Sequence, residues 1–356
     1  MNKVALLKIL KLAEVTNFSL SFRAAYWFFR AAVMKRPCLK YLDVALDYAC
    51  NMSCKHCFAN HNLRQPNQKR LEPKEWAGVV DNAIQAGCLH INLQGGEILL
   101  LHNLEEYVKA FQPRRCHLSV TTNAALFSGE VAKNLKSWGI QQVVVSLDSL
   151  NPEEHDEFRG MIGSFSKAIE GIKTARAAGL KVSVNVTISH DSLKSKGQRE
   201  LFDWLKSERI PYNPILASAV GAWREKQKLL VDIADVEYVN ALSKADGLAL
   251  RDIDASWVRK GCSAVLEQLY LTPTGDVLPC PFIHISLGNV RDTPLSIIRD
   301  QCLKKGFHGQ YNQTCWVAED LDFLSQLNEI NKSAVLPSLS GPGGIFLSRF
   351  WKNRNY

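Results

Sequence analysis

From Tyr41 onward the sequence alternates between short strand-like runs and amphipathic helix-like runs. Strands are predicted at Tyr41–Tyr48, Leu89–Leu93, His117–Thr122, Gln142–Leu147, Lys181–Ser189 and Tyr212–Ser218. Helices are predicted at Pro73–Ala86, Leu104–Phe111, Ser128–Trp138, Phe165–Ala178 and Lys196–Glu208. Six such steps in about 180 residues predict a parallel sheet whose crossover connections are helical.

Polar residues recur at alternate positions of these predicted strands. They are Asp43, Asp47, His90, Asn92, Gln94, Ser119, Thr121, Asn123, Ser183, Asn185 and Thr187. Parallel strands sandwiched between two helix layers are almost wholly apolar. One polar face instead predicts a sheet that curls around a wide lumen able to hold a large ligand. The predicted fold class is therefore α/β, a partial (β/α)6 barrel of parallel strands.

The net charge of +8 is concentrated at the two ends of the chain. Residues 1–40 hold eight Lys or Arg and one acidic residue, and residues 341–356 hold three more cations, which leaves −2 on the body. Both ends also carry large apolar and aromatic residues. This mixture suits an anionic membrane surface; the alternative is terminal helices that pack on the body with solvated cations. Nucleic acid is not an expected partner because the body lacks positive charge.

Three of the ten cysteines, Cys50, Cys54 and Cys57, lie within eight residues directly after the first predicted strand. The chain does not open like a secretory signal peptide, so this crowding indicates metal or redox chemistry rather than disulfides. Thiolates favour iron–sulfur, zinc or copper(I) sites. Zinc sites usually combine distant cysteine pairs into four ligands. Spacings of three and two residues fit a [4Fe–4S] cluster with one open iron better than they fit a zinc site. The loop also follows the carboxyl end of a predicted strand, where ligands bind in α/β folds.

With His56 before the third cysteine, this triplet resembles the signature of the radical S-adenosylmethionine (SAM) superfamily. Four further segments resemble that family in the same order, over roughly residues 41–220. They are Gly95-Gly96-Glu97, Thr122-Asn123, Ser146-Leu147-Asp148 and His155-Asp156-x-Phe158-Arg159-Gly160. The family often has Gly where this chain has Ala124.

The resemblance implies a role for each of these positions. Cys50, Cys54 and Cys57 would hold the SAM-cleaving [4Fe–4S] cluster, whose open iron chelates SAM. The cofactor-binding residues would be His56, Gly95, Gly96, Glu97, Asn123, Ser146, Asp148 and Arg159. Among these, Glu97 would contact the SAM amino group and Arg159 the SAM carboxylate, a task suited to a guanidinium.

A second cysteine set flanks a predicted hairpin within Trp257–Gly288. The run from Gly275 to Cys280 is similar to the hairpin of SPASM and Twitch extensions, which bind an auxiliary [4Fe–4S] cluster. A full SPASM extension has seven cysteines, so this chain is expected to hold one auxiliary cluster. Its implied ligands are Cys262, Cys280 and Cys315, and Cys302 is either a fourth ligand or a core residue in the predicted helix Pro294–Leu303. Three ligands would leave one iron open to substrate, whereas four would close the cluster.

The chain is therefore expected to have five parts. These are basic amphipathic N-terminal helices (1–40), a radical SAM partial barrel (41–225), a helical linker (226–258), a small β-hairpin and helix extension with the auxiliary cluster (259–335) and a basic aromatic tail (336–356). Pro337–Gly344 is predicted to be a loop. The remaining cysteines, Cys38, Cys88 and Cys116, are predicted to be buried small apolar residues.

The resemblance implies reductive cleavage of SAM to a 5′-deoxyadenosyl radical, with an electron donor such as flavodoxin or ferredoxin. The radical would abstract hydrogen from a small or lipid-linked metabolite, for oxidation or rearrangement. One alternative is a maturase that modifies a ribosomally made peptide. Another is a non-catalytic Fe–S electron carrier or sensor, which would not need the Gly-Gly-Glu or Arg159 segments. The predicted location is the cytoplasm, with the termini as candidate contacts to the inner face of a membrane.

Overall fold

The computed structural model describes residues 18–59, 63, 69–245, 247–254, 256–332 and 336–352. Its strands are β1 (Tyr41–Asp47), β2 (His90–Gly95), β3 (His117–Thr122), β4 (Gln142–Ser146), β5 (Lys181–Ile188), β6 (Tyr212–Leu216), β7 (Gln268–Leu271), β8 (Asp276–Leu278) and β9 (Gly288–Asn289). Its helices are α1 (Phe18–Ala32), α2 (Pro73–Gln85), α3 (Leu104–Ala110), α4 (Gly129–Trp138), α5 (Pro152–Arg159), α6 (Ser164–Ala177), α7 (Lys196–Ser207), α8 (Ile233–Ala245), α9 (Leu295–Lys304), α10 (Trp316–Glu319), α11 (Leu321–Ile330) and α12 (Pro342–Lys352).

Strands β1 to β6 form a parallel sheet in which neighbours in sequence are neighbours in space. The alternating polar positions of each strand, such as Asp43, Asn92 and Ser119, face the lumen, and the apolar positions between them pack against the outer helices. The largest buried side chains on that outer side include Trp76 of α2 and Phe111 after α3. The predicted fold class, a parallel α/β partial barrel, is confirmed.

Local signals explain where the outer helices begin and end. Helix α2 has Pro73 at its first turn and a capping box formed by Glu72 and Glu75. Helix α4 is capped by the Ser128 hydroxyl, which accepts a hydrogen bond from Val131 N, and ends at Gly139 in a left-handed conformation. These signals are readable from the sequence, which is why the predicted bounds agree with the structure to within one or two residues.

Two elements differ from the sequence-based expectation. Helix α5 was not predicted, although Asn151 caps it and Pro152 opens it. Helix α12 begins at Pro342, inside the predicted loop Pro337–Gly344. Of the predicted N-terminal helices, α1 is seen, and residues 1–17 lie outside the described part of the chain. None of the described helices combines the length and apolarity needed to cross a bilayer.

The hairpin of the C-terminal region continues the barrel sheet instead of forming a separate one. Strand β7 pairs in parallel with β1, in a register that sets Tyr41 beside Gln268 and Val44 beside Leu271. Strands β8 and β9 then add to it in antiparallel fashion. The sheet therefore runs across the expected division at residues 258 and 259, and the limits of the five parts stay predictions.

Glu267, the residue before β7, joins three parts of the chain at this point. Its carboxylate accepts hydrogen bonds from Trp257 N and Val258 N, from Tyr311 Oη at 2.7 Å, and from Lys40 Nζ at 3.0 Å. Its backbone oxygen accepts from Lys40 N and Tyr41 N. Glu267 is fully buried, so its charge depends on these partners.

We expect Glu267→Ala to lower the free energy of unfolding by about 3–5 kcal/mol, because it leaves Lys40 and two backbone amides without their buried acceptor. The midpoint of urea denaturation measures this. Glu105→Ala removes a solvent-exposed ion pair to Lys109 and is the matched control, with an expected change of about 0.5 kcal/mol or less. Equal effects of the two substitutions would contradict the role given to Glu267.

Candidate active site

The loop that carries Cys50, Cys54 and Cys57 is held on one side by the end of β2. Gly96 N and Glu97 N donate hydrogen bonds to Asp47 O and Ala49 O, both at 2.8 Å. A Cβ atom on Gly95 would lie 2.0 Å from Asp47 O, and one on Gly96 would lie 2.1 Å from Ala49 O. The two glycines are therefore required by the close approach of the cysteine loop itself.

Glu97 connects the same place to the end of β3. It is buried, and its two carboxylate oxygens accept hydrogen bonds from Thr122 Oγ1, Leu99 N and Asn123 N. Asn123 in turn donates through Nδ2 to Asn51 Oδ1 at 2.8 Å, and the same atom lies 3.9 Å from Cys50 Sγ. Glu97 thus positions Asn123 beside the cysteine loop.

The other side of the loop rests on the end of α5. Lys55 N donates to Phe158 O, and His56 stacks on the Phe158 ring with centroids 4.4 Å apart. Gly160 has φ of +65°, and a Cβ atom there would lie 2.6 Å from Ser53 O. This packing explains the side-chain types of the Phe158-Arg159-Gly160 run.

Arg159 and Asp148 form a buried ion pair next to Cys54. Arg159 Nε and Nη2 both lie 2.7 Å from Asp148 Oδ2, and Asp148 Oδ1 accepts from Thr187 N. Burial alone would raise the pKa of Asp148, but the Arg159 charge holds it below its usual value. Burial also raises the pKa of Cys54, and Arg159 opposes that shift. Arg159 is therefore a fixed positive charge at the thiol, anchored by Asp148.

A third contact to the loop comes from the segment after β6 and was missed by the sequence analysis. Ala222 N donates to Cys57 O at 2.9 Å. Gly221 has φ of +58°, and a Cβ atom there would lie 2.3 Å from Cys57 O. Trp223 lies against both His56 and Phe158. Gly221, two residues before Trp223, was the available signal in the sequence, but no local pattern linked it to Cys57.

At the position where the family often has glycine, Ala124 adopts a left-handed conformation with φ of +62°. This conformation costs an L-residue roughly 1–2 kcal/mol. The Ala124 methyl is fully buried and faces Gly171, where a Cβ atom would lie 2.7 Å from it. Because Gly171 of α6 has no side chain, the Ala124 methyl fits at the position where the family often has glycine.

A cavity of about 650 Å³ fills the lumen. Cys50, Cys54 and Cys57 line it at the carboxyl ends of the strands, together with Gly95, Gly96, Asn123, Ser146 and Arg159. Lys40, Leu89 and Lys181, which precede or begin strands, line it at the amino ends. The cavity therefore runs along the whole height of the barrel.

Side-chain hydrogen bonds link the polar residues of the lumen from strand to strand. Asn92 donates to Asp43 Oδ1 and accepts from Ser119 and Thr121. Gln142 donates to Ser183, and Asn213 donates to Asn185. The polar wall predicted from the strand alternation is present, and its members satisfy one another.

The lumen also contains a carboxyl group that can exchange a proton near neutral pH. Burial raises the pKa of Asp43 to about 7, while its hydrogen bonds from Asn92 and Tyr41 oppose the shift. Burial lowers the pKa values of His90 and His117, so both imidazoles are neutral there.

The thiols of Cys262, Cys280 and Cys315 form the second set. Burial raises the pKa of each thiol, and the charges of Cys262 and Cys315 raise the pKa of Cys280 further. The charge that acts on Cys302 is instead Lys305, and Cys302 is fully buried among apolar residues of α9.

The sulfur separations do not match a single metal ion. Around one tetrahedral zinc ion, sulfur atoms would lie about 3.8 Å apart, given Zn–S bonds of about 2.3 Å. Among the described residues, the group with three ligand atoms all within 4.8 Å of one another is His190, Asp232 and Asp235, and it contains no cysteine. Neither thiol set is therefore as compact as the site of a single ion.

The family model described as the radical SAM superfamily matches residues 47–194, and the model described as an iron-sulfur cluster-binding domain (SPASM) matches residues 262–317. The chain therefore carries a radical SAM domain followed by a SPASM domain. It is similar to the AdoMet-dependent heme synthase of Oleidesulfovibrio alaskensis, with 23% identity over 72% of this chain and 73% of that protein. It is also similar to the mycofactocin maturase MftC of Mycobacterium ulcerans, with 28% identity over 69% of this chain and 70% of that protein.

Among solved structures, the fold resembles Streptococcus suis SuiB bound to its precursor peptide SuiA. The TM-score is 0.60 at 19% identity, over 78% of this chain and 67% of that chain. This radical SAM protein is an enzyme, and its cofactors are a SAM-cleaving [4Fe–4S] cluster, SAM and an auxiliary iron–sulfur cluster.

We expect Gly96→Ala to reduce the iron bound after anaerobic reconstitution by roughly half, because the added methyl pushes residues 47–49 and the cysteine loop out of position. Iron and sulfide analysis measures this. Gly78→Ala is the matched control: it lies on the exposed face of α2 with no atom within 4 Å of the new methyl. It should keep its iron and gain up to about 1 kcal/mol of stability. Full iron content in Gly96→Ala would contradict the prediction.

Proposed function

We propose that this enzyme abstracts a hydrogen atom from a substrate held in the lumen and passes the remaining electron to the auxiliary cluster, a net oxidation. The observation that carries the proposal is that one cavity is lined by the first thiol set and by residues adjacent in sequence to two cysteines of the second set. Cys50, Cys54 and Cys57 line one end, and Ser263, Pro281 and Phe282, which neighbour Cys262 and Cys280, line another side. A substrate in the lumen would lie between the two.

The chemistry supplied by the bound cofactors is a 5′-deoxyadenosyl radical, generated with one electron from a donor such as flavodoxin or ferredoxin. The chain supplies the thiols of Cys50, Cys54 and Cys57 and a fixed guanidinium for the SAM carboxylate, Arg159. Gly95, Gly96, Asn123 and Ser146 line the same end of the cavity and complete the proposed SAM site. His56, Glu97 and Asp148 support it as positioning residues.

Loss of a hydrogen atom and then an electron leaves a proton to be removed from the substrate. Asp43 is the proposed acceptor because it lies in the lumen with a pKa of about 7. Polar side chains of the strands line part of the lumen, so the proposed substrate is a small metabolite, or a lipid-linked one whose polar head enters the lumen.

We propose three cysteine ligands for the auxiliary cluster, Cys262, Cys280 and Cys315, with Cys302 as a core residue. Three ligands would leave one iron of the bound cluster without a thiolate. The assignment is supported by the charges of Cys262 and Cys315, which raise the pKa of Cys280, whereas no cysteine acts on the pKa of Cys302.

Peptide modification is the second candidate. Its support is the similarity to the mycofactocin maturase and to the peptide-bound SuiB fold. A short open reading frame beside the gene, and a mass change in its product on incubation with the enzyme and SAM, would favour it over a metabolite substrate.

We expect the reconstituted wild type to bind about eight irons and to convert SAM to 5′-deoxyadenosine under reducing conditions. Cys54→Ala should bind about four and form no 5′-deoxyadenosine. Persistent SAM cleavage in Cys54→Ala would refute the proposed site.

Cys315→Ala should also bind about four irons but retain SAM cleavage, because only the auxiliary cluster is lost. Cys302→Ala is the matched control, a thiol from the same region, and should retain about eight irons. Loss of four irons from Cys302→Ala would show instead that the auxiliary cluster has a fourth cysteine ligand.

A further inference from the structure

Helix α1 is apolar on its exposed face as well as on the face that packs against the barrel. Phe22, Ala25, Tyr26 and Phe29 form its exposed face, at spacings of three and four residues, and Val33 continues that line beyond the helix. Phe22 is 69% exposed and Phe29 is 55% exposed. These four helical residues and Val33 are here called the aromatic stripe. Solvent-facing helix surfaces are normally polar, and a contiguous apolar patch usually marks an interaction site.

The opposite face of α1 fixes the helix to the barrel. Leu20 and Ala24 pack on Leu89, with Trp27 and Trp257 beside them. Arg23, on this inner side, donates to the backbone oxygens of Cys88, Ile84 and Arg115. The helix is therefore anchored by its own contacts, and the aromatic stripe is not needed to hold it in place.

Charge selects among the partners that could cover the aromatic stripe. Arg30 lies over the Trp27 ring, and Lys35 and Arg36 are exposed just beyond the helix. Residues 1–40 carry a net charge of +7, and residues 1–17 within them are also net positive. A second copy of this face, or residues 1–17 of the same chain, would bring like charges together. An anionic surface is complementary to all of them.

We propose that α1 lies in the surface of an anionic phospholipid bilayer, with the aromatic stripe in the acyl boundary and Arg30, Lys35 and Arg36 among the head groups. The helix is parallel to the surface in this arrangement, as amphipathic interfacial helices are. Burying two phenylalanines contributes most of the binding, and the cations make it sensitive to lipid charge and to salt.

This position has a consequence for the lumen. Leu89 and Trp257 pack against α1 on one side and line the cavity on the other, at the amino ends of the strands. Docking through α1 therefore turns this end of the lumen toward the bilayer and the thiols of Cys50, Cys54 and Cys57 away from it. This step rests on the proposed function, and it supports a lipid-linked substrate whose polar head reaches up the lumen.

Vesicle flotation of the full-length holoenzyme tests the docking. We expect the wild type to float with vesicles of phosphatidylglycerol and phosphatidylethanolamine in equal parts, and at least roughly tenfold less with phosphatidylcholine alone. Phe22→Ser with Phe29→Ser should lower partition to the anionic vesicles by roughly tenfold or more. Lys35→Glu with Arg36→Glu should lower it and weaken its salt dependence.

Ile233→Ser is the matched control, since Ile233 is 80% exposed at the start of α8, and it should float like the wild type. Iron content and the urea midpoint check that every variant is folded. Absence of wild-type flotation, or equal flotation of the Phe22 and Phe29 variant, would overturn the proposal. So would a wild-type dimer in light scattering that the same variant dissociates, because a second copy would then cover the stripe. Flotation needs no turnover, so its failure is distinct from failure of SAM cleavage.

Discussion

The pairing of β7 with β1 brings residues next to Cys262 and Cys280 to the same cavity that Cys50, Cys54 and Cys57 line. Strand β1 leads upward into Cys50 at the carboxyl edge of the sheet. Strand β7 runs beside it in the same direction, and Tyr270 of β7 pairs with Asp43 of β1. Strand β8 runs in the opposite direction, and its Leu278 pairs with Tyr270. The chain thus reaches Cys280 near the amino-terminal half of β1. The buried Glu267 carboxylate holds this arrangement by joining Lys40, the Trp257 segment and Tyr311.

The sequence was most informative where the physical cause is local. Strand alternation predicted the polar lumen, and capping residues with terminal glycines predicted the outer helices. The spacing of Cys50, Cys54 and Cys57 predicted a loop that binds an iron–sulfur cluster. Helix α5 could have been predicted in the same way from Asn151 and Pro152.

Features that depend on distant contacts could not be predicted. The pairing of Tyr41 with Gln268 joins residues more than two hundred positions apart and leaves no periodic trace. A glycine is needed at position 221 because Cys57 O approaches it closely. Glu97 accepts hydrogen bonds from Thr122 and Asn123 because the ends of β2 and β3 pack together. The resemblance to a family named candidate positions for the site, and the contacts within the chain show which of these residues hold others in place.

Polar side chains inside the barrel and apolar side chains on the exposed face of α1 both depart from the usual distribution of polarity, for different physical reasons. Inside the barrel, Asn92 bonds Asp43, Ser119 and Thr121, so these buried polar side chains satisfy one another. A substrate that enters the lumen need not break these bonds. On α1 no such compensation exists, because the exposed rings gain nothing from contact with water. The lumen residues are therefore stabilised within the chain, whereas the exposed rings of α1 would be buried only by the proposed contact with a bilayer.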